Sequence, residues 1–214
     1  MLGTGKLMIP DQRKLWNDGL DSMAVRLQEP SDFALEVLKF IKAGDKLLEL
    51  GCGVGLDAGL FAQNGIKTLA TDFADQTIAQ NKATNKYNNL EFEILDITSK
   101  YPYPDETFDC VYACLSLHYF KHKQTKATFQ EIHRILKPNG LLTFRCKSTT
   151  DLLYGEGDEI EADMFVRKGH VRHFFSVDYA KSLLEDFSIL KLEEATGIYD
   201  GYVSNFIDCG ARKT

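Results

Sequence analysis

A short apolar segment that leads directly into closely spaced glycines constrains this chain more than any other feature. Residues 46–50 are apolar apart from Glu49 near the end and predict a buried strand. The next five residues, 51–55, have glycine at the first, third and fifth positions, and an apolar helix is predicted from Leu56. A strand, a glycine turn and a helix in this order allow an adenosine-bearing ligand to approach the backbone where a Cβ atom would not fit.

The spacing of these glycines discriminates between possible ligands. A dinucleotide fingerprint has glycine at the first, third and sixth positions, with the pyrophosphate at the helix N-terminus. The sixth position here is Leu56, and Glu49 adds a negative charge where a pyrophosphate would lie. The turn therefore favours a cationic ligand over a phosphorylated one. A nicotinamide-dependent oxidoreductase is a disfavoured alternative, which predicts affinity for NAD(P).

Residues 49–55, Glu-Leu-Gly-Cys-Gly-Val-Gly, resemble the first motif of the class I S-adenosylmethionine-dependent methyltransferases of the small-molecule type. The resemblance covers residues 45–146, including a proline-rich, acidic stretch at 101–111 and a Lys-Pro-Asn-Gly turn at 137–140. It implies S-adenosyl-L-methionine as the cofactor and S-adenosyl-L-homocysteine as the product. In the family the turn wraps the amino-acid part of the cofactor, a role that falls here to four residues: Gly51, Cys52, Gly53 and Gly55.

The predicted strands that follow end next to acidic residues. Residues 67–71 form a second predicted strand that ends at Asp72, and residues 90–95 form a third that ends at Asp96. Five strands alternating with helices, then a closing pair, predict a doubly wound, Rossmann-like α/β fold with a mostly parallel seven-stranded sheet and an antiparallel closing strand. Ligands bind such sheets beyond the carboxyl ends of the strands. We therefore expect Glu49 and the two aspartates to meet around one cofactor.

Individual contacts with the cofactor follow from these positions. Asp72, with Phe73 beside it, is expected to reach the ribose hydroxyls, and its alternative role is to cap the following helix. Asp96 is expected to accept a hydrogen bond from the adenine amino group, while the backbone amide of Ile97 serves a ring nitrogen. Leu115, directly after the fourth strand, completes the predicted cofactor-binding set.

The loop after the fourth strand contains the candidate catalytic residues. Transfer from an activated methyl donor depends mainly on proximity, alignment and exclusion of water, so a general base is needed only if the nucleophile must lose a proton. His118 is the first candidate for such a base and Tyr119 the second. The alternative for His118 is a packed or surface histidine.

One methyltransferase domain is predicted over residues 1–214, with residues 45–146 as its cofactor-binding core. Residues 1–30 are predicted to be an N-terminal arm or lid, and residues 151–175 a possible substrate lid. These segments contain the substrate-binding candidates. Trp16 either packs or contacts the substrate. Arg172 and His173 could orient an anionic acceptor, and Phe174 could form a wall of the substrate site.

Composition limits the partners. The net charge of −6 argues against a nucleic-acid partner, and no apolar run is long enough to span a membrane. The N-terminus has no apolar region of a secretory signal, and the five cysteines include no CxxC pair, so neither a disulfide framework nor a metal site is indicated. We therefore predict a cytoplasmic monomer or homodimer with no metal, nucleic-acid or membrane partner.

The acceptor is predicted mainly from missing motifs. The sequence has no Asn/Asp-Pro-Pro-aromatic tetrapeptide for exocyclic amines of bases, and no Pro-Cys after the fourth strand for attack on a pyrimidine ring. These absences favour a small-molecule methyl acceptor, either organic or an oxyanion. A regulatory protein that binds the cofactor without transferring methyl is the second hypothesis.

Overall fold

The computed structural model describes residues 11–18, 28–199 and 201–214. Residues 1–10 and 19–27 of the predicted N-terminal arm, and residue 200, lie outside the described part. In chain order, the described residues form α1 (Gln12–Asp18), α2 (Asp32–Val37), β1 (Lys46–Leu50), α3 (Leu56–Gln63), β2 (Lys67–Asp72), α4 (Asp75–Thr84), β3 (Leu90–Ile94), β4 (Phe108–Cys114), α5 (His122–Ile135), β5 (Leu136–Lys147), β6 (Asp158–Glu161), β7 (Met164–Arg167), β8 (His170–His173), α6 (Val177–Ser182), β9 (Phe187–Tyr199) and β10 (Tyr202–Lys213).

Seven strands form one sheet in the order β3-β2-β1-β4-β5-β10-β9. The pairs from β3 to β5 are parallel, and β10 runs antiparallel to both of its neighbours. This confirms the predicted Rossmann-like, mostly parallel sheet with an antiparallel closing strand. The strand order reverses beside β1, which is the point where open α/β sheets bind their ligands.

Both faces of the sheet are buried. Leu47 and Leu48 of β1 are fully buried but belong to different apolar clusters, because successive side chains of a strand point to opposite faces. Leu48 shares its cluster with Phe129 and Ile132 of α5, whereas Leu47 packs with Phe61 of α3. Helices therefore cover both faces and leave the edge at the carboxyl ends of the strands for a ligand.

Two helices, α2 and α6, begin after a serine whose side chain caps them. The hydroxyl of Ser31 accepts a hydrogen bond from the amide of Ala34 at 3.0 Å, and that of Ser176 accepts one from Tyr179 at 3.1 Å. Helix α2 ends at Val37, before the end of its apolar periodicity.

The last two strands form one long antiparallel ladder. Gly197 pairs with Ser204 inside it, and β9 continues through this glycine to Tyr199. Residues 158–173 form a second, three-stranded antiparallel sheet of β6, β7 and β8. That this segment acts as a lid stays a prediction.

Candidate functional site

A cavity of about 750 Å³ lies at the carboxyl edge of the sheet, beside β1. Its volume is within the range of about 300–1,000 Å³ that is typical of small-molecule sites. Eleven of the residues predicted from the sequence line it: Trp16, Glu49, Gly51, Cys52, Gly53, Asp72, Phe73, Asp96, Ile97, Leu115 and Tyr119. The predicted convergence at one edge is therefore observed.

The glycine turn is fixed on the end of β2. The amides of Gly51 and Cys52 both donate to the carbonyl of Thr71, each at 2.8 Å. Gly51 has a φ of 79°, and a Cβ atom there would overlap the side chain of Ser116. Since Ser116 follows β4, this glycine lets the turn approach the loop that completes the cavity wall.

Gly55 has different surroundings from Gly51 and Gly53, and its contact with the cofactor stays a prediction. It does not line the cavity, although the sequence assigned it to the cofactor. Its φ is 78°, and a Cβ atom there would lie 3.1 Å from the ring of Phe92 and 3.4 Å from the amide nitrogen of Asn81. Gly55 therefore permits close packing of the turn against β3 and α4.

Asn81 was missed by sequence reasoning. Its side chain is buried in α4, and its amide nitrogen donates to the carbonyl of Gly53 at 2.8 Å. Helix α4 contains several amides that the sequence alone does not distinguish, because only the packing of the helix shows which of them points inward.

Asp72 holds the turn and also lines the cavity. Its Oδ2 accepts from the Gly53 amide at 3.0 Å, and its Oδ1 accepts from the Ala74 amide at 2.9 Å. Helix α4 begins at Asp75, so Asp72 binds the chain just before the helix. Burial raises the pKa of this carboxyl.

Glu49 is a buried carboxyl group in an unfavourable electrostatic environment. Its side chain is only 3% exposed, and its Oε2 has no hydrogen-bond partner among the described residues. Burial, followed by the negative charges of Asp57 and Asp72, raises its pKa well above the usual value. A buried acceptor without a partner is costly, and a cationic ligand would satisfy it.

Asp57 is a second residue that the sequence did not reveal. It lines the cavity and accepts hydrogen bonds from the amide and hydroxyl of Ser31, at 2.7 and 2.9 Å, and from the hydroxyl of Tyr112 at 2.6 Å. It therefore fixes the segment before α2 against α3. Its charge adds to the negative potential around Glu49.

The other predicted cofactor residues follow the ends of β2, β3 and β4. Asp96 is exposed, and its Oδ1 accepts from the amide and hydroxyl of Thr98 at 2.9 and 2.7 Å. Phe73 lies 5.7 Å from the guanidinium of Arg13. Leu115 has a φ of 54°, and its amide donates to the carbonyl of Arg145 at 2.8 Å.

The two catalytic candidates differ in position. His118 is 1% exposed and does not line the cavity. Burial, together with the charges of Arg172 and Lys147, lowers its pKa well below the usual value. Tyr119 does line the cavity, and its pKa is raised by burial, although a hydrogen bond from Arg172 opposes that shift. The order of the two candidates is therefore reversed.

Trp16 lines the cavity and contacts the ring of Tyr119, with the centroids 5.1 Å apart. Arg172, His173 and Phe174 do not line it, and their assignment to the acceptor stays a prediction. His173 is 5% exposed, and burial lowers its pKa to about 4. Phe174 is buried against the rings of two residues of its own segment, Tyr154 and Phe165. Arg172 and His173 contact the loop that carries Tyr119, through Tyr119 itself and through the carbonyl of His118.

Arg145 of β5 is the third residue missed from the sequence. Its Nε and one terminal nitrogen each donate to a carboxylate oxygen of Asp208 at 2.7 Å, and the other terminal nitrogen lies 2.6 Å from Asp32. The guanidinium also lies 4.9 Å from the ring of Phe33 and 4.8 Å from that of Phe206. A signal was present, since an arginine in one apolar strand and an aspartate in another predict a buried pair.

The described residues contain no group of three or more His, Cys, Asp or Glu side chains placed to hold a metal ion. All five cysteines are free thiols. Among the described helices, none combines the length and apolar character needed to cross a membrane.

Comparison with known proteins finds a family that matches part of the chain. Residues 48–144 match the family described as "Methyltransferase domain". Phosphoethanolamine N-methyltransferase 3 of Arabidopsis thaliana is 34% identical over 113 residues, which are 50% of this chain and 22% of the plant protein. The tRNA N(3)-cytidine methyltransferase METTL2 of Danio rerio is 25% identical over 71% of this chain and 46% of its own length. The chain thus spans less than half the length of both relatives.

Solved structures show the same fold. A SAM-dependent methyltransferase of Methanosarcina mazei is 18% identical, with a TM-score of 0.75 over 87% of this chain and 99% of that one. The 1,6-didemethyltoxoflavin-N1-methyltransferase of Burkholderia thailandensis, solved with its substrate and S-adenosylhomocysteine, is 17% identical, with a TM-score of 0.74 over 95% of this chain and 87% of that one. At these identities the likeness establishes the architecture.

Proposed function

Residues 48–144 match the methyltransferase-domain family, and on this premise we propose that the chain transfers the methyl group of S-adenosylmethionine to a small-molecule acceptor by direct in-line displacement. The observation that carries the proposal is the buried, unpartnered carboxylate oxygen of Glu49 in a cavity bounded by the glycine turn. A phosphorylated cofactor would add negative charge beside Glu49, whereas a cofactor with an ammonium and a sulfonium group supplies positive charge.

The cofactor would be held by residues at the carboxyl ends of β1 to β4. The turn from Gly51 to Gly53 and the carboxylate of Glu49 would hold its amino-acid part. Asp72 would accept hydrogen bonds from the ribose with the lone pairs that its bonds to Gly53 and Ala74 leave free. Asp96 and the amide of Ile97 would contact the adenine.

When bound, the cofactor supplies a methyl group that is already activated by its attachment to a sulfonium. The chain then has to bind and orient the acceptor and exclude water, which together supply most of the catalysis that such a transfer needs. The cavity walls suit this task, because they combine aromatic side chains such as Trp16, Tyr119 and Phe120 with carboxylates.

Of the two catalytic candidates, His118 and Tyr119, we assign Tyr119 to the wall of the cavity. Because its pKa is raised, its hydroxyl stays protonated near neutral pH and would donate a hydrogen bond to the acceptor. His118 would support it from behind, since its ring lies 4.5 Å from that of Tyr119 and its carbonyl accepts from the amide of His173 at 2.8 Å.

A small acceptor is supported by the size and charge of the site. The cavity has the volume of a small-molecule site, and the net charge of −6 is unfavourable for a nucleic acid, although a tRNA methyltransferase is among the relatives. A nucleic-acid acceptor therefore serves as an explicit arm of the test.

Calorimetric titration of the full chain with S-adenosylhomocysteine and, separately, with NADH tests the cofactor. We expect affinity for the former and none for the latter, and the reverse result would establish the oxidoreductase alternative. Incubation with radiolabelled S-adenosylmethionine and separate panels of small molecules and tRNA then tests transfer. Binding without transfer to any panel would favour the regulatory hypothesis.

A further inference from the structure

The cavity contains many more negative than positive side chains. Six of its described lining residues are carboxylates, and Arg145 is the only lysine, arginine or histidine among them; the carboxylates are Glu29, Asp32, Glu49, Asp57, Asp72 and Asp96. Even with Glu49 counted as neutral because of its raised pKa, five carboxylates face one guanidinium. The described lining residues of the cavity are therefore short of positive charge.

Arg145 does little to offset this imbalance for an incoming ligand. Two of its nitrogens are bound by the carboxylate of Asp208, which is itself buried and lies behind the cavity wall. A third nitrogen is bound by Asp32. Two carboxylates thus already compensate the single charge of Arg145, and an anionic ligand would have to displace one of them.

The proposed cofactor does not restore the balance either. Its ammonium and sulfonium carry two positive charges and its carboxylate one negative charge, so it brings one net positive charge. After it binds, the cavity still has an excess of negative charge. At short range in a partly buried site, such an excess acts strongly on the charge of any second ligand.

The second ligand has a defined place in the cavity. Strands β5, β10 and β9 lie on the other side of β4 from β2 and β3, where the cofactor residues are found. The acceptor end of the cavity, as we call it, is formed by residues of those strands, of the segment before α2 and of the first position of α2: Glu29, Asp32, Arg145, Ile198, Tyr199 and Phe206. Asp32 is 69% exposed in its side chain, so its carboxylate is accessible to a ligand there.

We propose that the methyl acceptor is a small organic amine, which the acceptor end recognises in its positively charged ammonium form. This inference rests on the proposed function and names its substrate class. A carboxylate, phosphate or other oxyanion is disfavoured by the same charges, since it would meet the carboxylates of Glu29 and Asp32 and find Arg145 already paired. The Lys147 ammonium, which lies 4.9 Å from the ring of Phe206, is likewise paired, with Asp151. If the amine nitrogen is also the methylated atom, the ammonium first gives a proton to water or to a carboxylate, because only the neutral amine has a free electron pair.

Three probes of matched shape test the charge preference. (4-Hydroxyphenyl)trimethylammonium, 4-tert-butylphenol and 4-hydroxybenzenesulfonate share a phenol ring with a compact group opposite the hydroxyl, and they carry one positive charge, no charge and one negative charge. Each is titrated calorimetrically into the full chain saturated with S-adenosylhomocysteine. We expect the ammonium to bind at least about tenfold more tightly than the neutral phenol, and the sulfonate more weakly than both.

A pair of charge-matched variants locates the effect. Asp32→Asn is expected to reduce the preference for the ammonium by about threefold or more, with little change in affinity for S-adenosylhomocysteine. Glu36→Gln removes the same charge from the same helix at a residue whose partner is Lys191 rather than the cavity, and it is expected to change neither.

The outcomes separate this inference from the proposed function. Absence of affinity for S-adenosylhomocysteine would overturn the proposed function. Affinity for S-adenosylhomocysteine combined with an ammonium that binds no better than the neutral phenol, or not at all, overturns only the assignment of an amine acceptor. An equal loss of preference in Glu36→Gln and Asp32→Asn would also overturn it, because the effect would then not come from the acceptor end.

Discussion

The side-chain amide of Asn81 donates a hydrogen bond to the backbone carbonyl of Gly53 at 2.8 Å, which ties helix α4 to the glycine turn. The amide of the same glycine donates to Asp72 on the other side. Gly53, at the centre of the turn, is thus held by hydrogen bonds to two elements, α4 and β2. A turn fixed in this way can present its backbone to a ligand without reorganising on binding.

Asn81→Ala is expected to weaken binding of S-adenosylhomocysteine and to lower the free energy of unfolding by about 1–3 kcal/mol, since it removes the side-chain amide that donates to the Gly53 carbonyl. Calorimetry and denaturant unfolding measure the two effects. Gln80→Ala, at an exposed position of the same helix, is the control and should change neither. An unchanged affinity in Asn81→Ala would show that the turn keeps its shape without this bond.

Glu49→Gln tests the charge of the buried carboxylate while preserving its shape. If a positive group of the cofactor pairs with Glu49, removing the charge should cost about 1.5–3 kcal/mol of binding free energy for S-adenosylhomocysteine, whose ammonium is retained. The ligand-free protein should not be destabilised, because a buried, unpartnered charge costs energy. Equal affinity in the variant and the parent would place the ammonium elsewhere.

The raised pKa of Glu49 also predicts a pH dependence of stability. Its unfolded value is near 4.5 and its folded value well above that, so its contribution to stability is fully present below pH 4.5 and is lost as pH rises through the folded pKa. The ligand-free protein should therefore become less stable over this range relative to Glu49→Gln, which lacks the titration. Thermal unfolding of both proteins at several pH values measures the difference, and parallel curves would contradict the shift.

The sequence was sufficient to locate the edge of the sheet where the site lies, because strand ends and the residues after them can be read from local patterns. Glu49, Asp72 and Asp96 all follow from this rule, and all line the cavity. It was not sufficient to decide which side chain of the loop after β4 lines the cavity. His118 is buried, whereas Tyr119, the next residue, lines the cavity.

Contacts between residues far apart in the chain were beyond the sequence patterns. Asp57 and Arg145 look like an ordinary helix residue and an isolated cation in an apolar strand. Their importance depends on Ser31, Asp32 and Asp208, which the fold brings to them across long separations in the chain. In the same way, the sequence identified the glycines of the turn, Gly51 and Gly55, but not the residues that they pack against.

The buried pair of Arg145 and Asp208 is expected to be essential for stability. Asp208→Asn would leave the guanidinium without its buried counter-charge, so we expect a loss of about 3–5 kcal/mol in the free energy of unfolding. Glu36→Gln, which breaks the exposed pair with Lys191, is the matched control and should have little effect. Denaturant unfolding measures both, and similar small losses would show that Asp32 alone can compensate Arg145.

Gly51 and Gly55 have the same backbone conformation but different surroundings, and this difference can be tested. An alanine at position 51 would overlap Ser116 beside the cavity, so Gly51→Ala should lower both the affinity for S-adenosylhomocysteine and the stability. Gly55→Ala should mainly cost stability, by about 1–3 kcal/mol, because its Cβ meets Phe92 on the side away from the cavity and the residue must keep a positive φ. Calorimetry and thermal unfolding of both variants give the comparison. A loss of affinity in Gly55→Ala as large as that in Gly51→Ala, at equal stability, would restore the direct cofactor contact that the sequence predicted for Gly55.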